Sequence, residues 1–111
     1  MKPIDPLTPA TFAPYLGGQC VITNSSTLDS LRGRVESVDL ATRQRQAVIQ
    51  FADLEKSANG GPWMPVPADE QRYVFRRAGV DLVPRTDGLL ELQVSGEDTT
   101  IVFHQPTPVA V

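Results

Sequence analysis

A chain of 111 residues, 41% hydrophobic and 21% charged, has globular proportions, with enough material for one hydrophobic core and too little for a second. The formal net charge of −3 argues against indiscriminate polyanion binding, and no apolar run approaches the roughly 20 residues that span a bilayer. A lone cysteine and a lone histidine leave no internal disulfide and no histidine-based metal site. With no signal-like stretch at the N-terminus, the expectation is one cytoplasmic domain over residues 1–111, with residues 1–6 and 105–111 as flexible tails.

In chain order, Thr8 followed by Pro9 reads as a helix start, with Phe12, Tyr15 and Leu16 at helical spacing and Gly17 and Gly18 ending a short helix over residues 9–16. Residues 19–23 read as a strand that takes Cys20 inward as a small hydrophobe, and residues 24–27 as a polar turn. In residues 31–36, Leu31, Gly33 and Val35 alternate with Arg32, Arg34 and Glu36, the pattern of a sheet with one wet face. Val38 and Leu40 take the opposite phase, so a bulge or bend near Ser37 is needed to keep them in the core.

Ala47, Ile49 and Phe51 resume an inward phase, and residues 53–69 read as a long connection. Within it, the prolines of residues 58–67 argue against a regular strand and leave Trp63 on a loop. Residues 72–76 and 79–83 are further strands, Leu90, Leu92 and Val94 alternate with polar neighbours, and Gly96, Glu97 and Asp98 turn the chain into residues 99–104. The fold class is therefore mostly β: a strongly bent antiparallel sheet or small barrel of five or six strands with a short N-terminal helix. Leu31, Val35, Ile49, Phe51, Leu90, Leu92, Ile101 and Phe103 are its expected interior.

The order of elements over residues 7–56, with Gly33 and Asp39 in a bent second strand, resembles the first motif of Sm-like RNA-associated proteins. That resemblance implies a small SH3-like barrel, and in the family it accompanies ring assembly and uridine recognition. Arg43 stands at the offset of the family's base-contacting asparagine, and residues 91–96 replace the arginine-glycine signature of its second motif.

No catalytic triad, phosphate loop or metal-ligand spacing can be assembled from these residues, so neither an enzyme nor a cofactor is expected. Eight of the ten basic residues are arginine, the side chain suited to planar bidentate contacts. The reading is a binding or assembly module working through protein–protein contacts, with Trp63, Met64 and Tyr73 as an apolar contact and a second copy of the chain or another protein as partner. Self-association as a dimer or higher oligomer follows from strands that carry few edge-blunting residues, since neither Lys2 nor Lys56 lies in a predicted strand. Two alternatives stay open: Trp63 either joins that contact or plugs the barrel, and Arg32, Arg34, Arg43 and Arg45 form either a phosphate-binding RNA patch or ordinary surface ion pairs.

Overall fold

Period-two alternation is realised as one antiparallel sheet curled into a half-barrel. The computed structural model describes residues 7–40, 46–94 and 96–106. A single helical turn α1 (Pro9–Phe12) runs into a 3-10 turn (Ala13–Tyr15). The strands follow as β1 (Gln19–Asn24), β2 (Ser30–Asp39), β3 (Gln46–Ser57), β4 (Trp63–Pro65), β5 (Arg72–Arg76), β6 (Val80–Val83), β7 (Leu90–Val94) and β8 (Thr99–Phe103). Across the sheet the order is β4-β3-β2-β1-β8-β7-β6, and β5 pairs with β3 as well.

Eight strands thus stand among the described residues where the pattern predicts five or six. One of them corrects the expected loop: Trp63 pairs with Ser57, Met64 with Lys56 and Pro65 with Glu55. A three-residue edge strand tolerates Pro65 because only one of its sides carries a ladder. The same pairing extends β3 through Asp53 to Ser57, so the expected connection is strand for its first five residues and Lys56 lies inside a strand.

Two bulges interrupt the long hairpin, one on each strand. Val35 faces Phe51 while Ser37 faces Gln50, so Glu36 is the extra residue on β2; this is the bend that the phase of Val38 and Leu40 requires, and both pack against the core. The second bulge lies on β3. Arg32 faces Glu55 and Arg34 faces Ala52, which leaves Asp53 and Leu54 opposite Gly33. Asp53 takes φ 56°, in the left-handed region that a short polar side chain tolerates. Leu54 then turns into the core over Gly33, where a Cβ would lie 3.0 Å from the Phe51 ring and 3.2 Å from the Leu54 Cα.

Beyond that bulge, β3 must serve two partners on one side, β5 along its first half and β4 along its end. Gln71 fills the interval. Its carbonyl accepts from Phe51 N–H at 2.9 Å, and its side chain accepts from Leu54 N–H and donates to the Val66 carbonyl at 3.1 Å.

The N-terminal segment closes one end of the half-barrel. Thr8 caps α1 with Pro9 at its first position, Gly17 N–H donates to the Val35 carbonyl at 2.7 Å, and Val35 N–H returns to the Gly18 carbonyl at 2.9 Å. Phe12 lies 5.3 Å and Tyr15 6.3 Å, centroid to centroid, from Phe103. Arg77 fastens the same end by donating to the carbonyls of Leu40 and Leu7. Val35, Ile49, Phe51, Leu92, Ile101 and Phe103 are buried as predicted, while Leu31 and Leu90 are only partly covered. Leu16 faces solvent because the last helical residues form a 3-10 turn rather than an α-turn. Cys20 is fully buried, and desolvation holds its thiol far above the ordinary cysteine value.

Candidate functional site

Strand alternation divides the residues singled out from the sequence between the two faces of the sheet. On the outer face, Val83, Glu91, Val102, Val21, Arg32, Glu55 and Pro65 stand in one register row across seven strands. There Arg32 donates through Nε to Glu55 Oε1 at 3.1 Å, and its Cζ lies 4.1 Å from the centroid of the Trp63 ring. The indole therefore lies half-buried beneath a guanidinium on the outer surface and does not fill the opening of the half-barrel. Arg34, two residues along, reaches Asp53 only at 4.0 Å, with both groups well exposed. Arg43 and Arg45 lie outside the described residues.

Met64 points the other way. A three-residue strand sends neighbours to opposite faces, so Trp63 and Met64 cannot form one contact patch. Met64 is 60% exposed and lines a groove of about 340 Å³ with Ala58, Pro62, Pro65, Val66 and Pro67, flanked by Lys56 and Glu70. Thioether and proline surface gives this groove an apolar floor between two opposite charges.

Tyr73 is separated from both. It stands on the inner side of β5, stacked on Phe75 with centroids 6.3 Å apart, and lines a second cavity of about 270 Å³ with Ile22, Asn24, Leu31, Lys56 and Thr99. This cavity opens at the end of the half-barrel away from Phe12 and Tyr15. Burial raises the Tyr73 phenol above its ordinary value, the charge of Glu97 raises it further, and the Thr99 hydroxyl draws it partly back. Asn24 ties the rim together by donating to the Glu97 carbonyl at 3.0 Å and to Thr99 Oγ1 at 3.3 Å.

Lys56 and Thr99 are the site residues that sequence reasoning passed over. Lys56 borders both cavities. Its signal was alternation in residues 54–57, masked by the bulge at Asp53. Among the described residues no group of three or more His, Cys, Asp and Glu side chains is placed to hold a metal ion, and no helix is long and apolar enough to cross a membrane. Comparison with protein-family models, with curated proteins and with solved structures returns no match for this chain.

Proposed function

We propose that the chain is a non-enzymatic binding module that makes protein–protein contacts along its β4 edge. The observation that carries this reading is Met64, a large apolar side chain 60% exposed on an edge strand, in a groove floored by prolines. β4 is short and carries Pro65, which blunts it against strand pairing, so the contact is made by side chains, and exposed apolar surface of this kind marks an interaction site. Methionine suits a contact that must adapt to its partner's shape, and Lys56 and Glu70 at the rim supply charges that orient whatever docks. The nearest available partner is a second copy of the chain.

The RNA reading draws less support. Arg32 is already engaged by Glu55 and Trp63, which reduces the guanidinium surface left for phosphate.

Sedimentation of the full chain at micromolar to millimolar concentrations tests the proposal. A concentration-dependent dimer that Met64→Asp returns to monomer is the expected result. Should the parent remain monomeric throughout, photo-crosslinking in cells from position 64, with position 82 at the opposite edge as control, decides whether another protein occupies the groove. No adduct specific to position 64 would end the proposal.

A further inference from the structure

We infer that the open end of the half-barrel is a binding site for a small carboxylate with a compact apolar body, its charge met by Lys56 and its body seated on Ile22, Leu31 and Tyr73. The inference goes beyond the β4 contact and does not rest on it.

Register carries the first step. The inner face holds a row running Leu82, Leu92, Ile101, Ile22, Leu31, Lys56 and Met64. Six of these seven positions are apolar, as the inside of a curled sheet requires. Lys56 alone places an ammonium group in the row, and among the described residues it forms no ion pair. Lys56 is exposed at the rim of the cavity, so its solvated ammonium group can meet an anion whose apolar body sits in the cavity beside it.

The cavity supplies the second step. Its volume of about 270 Å³ lies just below the usual lower bound of about 300 Å³ for ligand pockets, and barrel mouths are a recurrent location for them. Space of this size takes one ring or a short branched chain. Its charges are arranged asymmetrically. Asp29 also borders the cavity and keeps its charge while its Oδ1 accepts the Asn59 N–H at 2.8 Å, which ties that carboxylate to the neighbouring loop and leaves Lys56 as the one cation among the lining residues. Glu97 acts on the Tyr73 end, where burial keeps the phenol protonated. A carboxylate is thus attracted to Lys56 and repelled from the Tyr73 end, which fixes the direction in which an amphiphilic acid enters.

Benzoate and its neutral counterpart benzamide are the probes, titrated into the uniformly ¹⁵N-labelled full chain. Saturable amide shifts confined to Ile22, Leu31, Lys56, Tyr73 and Thr99 are expected with benzoate, and benzamide should bind about tenfold more weakly, as loss of a charge-assisted contact dictates. Lys56→Gln should weaken benzoate by a similar factor, and Lys56→Arg should restore most of it. Equal binding of benzoate and benzamide would overturn the inference, as would shifts elsewhere on the surface or none at millimolar benzoate. That comparison uses the parent chain alone, so it decides even where a variant fails to fold. If Lys56→Gln causes aggregation while binding benzoate as well as the parent does, the lysine guards an edge rather than receiving an anion, and the inference falls.

Discussion

The two ends of the half-barrel share one inner face and are finished in opposite ways. At the first, Phe12 and Tyr15 cover Phe103, and backbone bonds from Gly17 and Val35 hold the covering turn in place. At the second, Ile22, Leu31 and Tyr73 meet a rim of Asn24, Asp29, Lys56 and Thr99, and no segment among the described residues lies across them. The covering of the first end is local in sequence, since a helix lies immediately before β1. The same sheet can therefore be completed by its own chain where aromatic residues are at hand and left receptive where polar residues line the mouth. The difference marks the first end as structural and the second as the place to look for a ligand.

Truncation at each end should separate them most sharply. Phe12→Ala removes a fully buried ring and should cost about 3–5 kcal/mol of unfolding free energy. Tyr73→Ala, at the half-open mouth, should cost distinctly less, because its ring is partly solvated and its loss opens a cleft to water instead of a dry void. Urea denaturation with unchanged m-values measures both. Equal losses would mean that the second end is as much a packed core as the first, and would remove the ground for treating it as a site.

How far these ends were legible from the sequence follows from the same contrast. The capped end is written in local signals, with Thr8 and Pro9 starting the helix, paired glycines ending it and Phe12 on its inner side. The bend at Glu36 was also legible, because Val35 and Val38 cannot both face inward on an unbroken strand. The open end was not. Asp53, in left-handed conformation, breaks the alternation of β3 just where Leu54, Lys56 and their partners in β4 need to be read, so a strand presents itself as the start of a loop. Proline spacing hid β4 in turn, since an edge strand tolerates what an interior strand excludes. Once β4 exists, its alternation parts Trp63 from Met64, which adjacency in sequence had joined.

A smaller effect sharpens the contrast through pH. Burial first, then the charge of Glu97, raises the Tyr73 phenol above its ordinary value of 10.0, and the Thr99 hydroxyl offsets part of that rise. The fold therefore holds this proton more tightly than the unfolded chain does. The corresponding stability is intact below pH 10 and is lost as pH climbs through the raised value, since ionisation is easier once the chain unfolds. Tyr73→Phe should remove this part of the alkaline loss, read as a smaller fall in urea midpoint between about pH 9 and about pH 11 than in the parent. An identical fall in both proteins would place the phenol in solvent and make the mouth wetter than the geometry indicates.

The smallest predicted effect concerns the outer face, where Arg32 lies over Trp63. Cation–π pairs at exposed sites are worth about 0.5–1 kcal/mol. The ion pair that Arg32 also forms with Glu55 is 38% exposed on both side chains, so water screens it and its share is of the same small order. A double-mutant cycle with Arg32→Ala and Trp63→Ala, repeated in a Glu55→Gln background, separates the two terms. Coupling of about 0.5 kcal/mol or more that survives Glu55→Gln would show the guanidinium pinning the indole to the surface of β4, with Met64 consequently held toward its groove. Coupling near zero would leave the indole free to swing outward, and Trp63 would then rejoin Met64 as part of the contact made by the β4 edge.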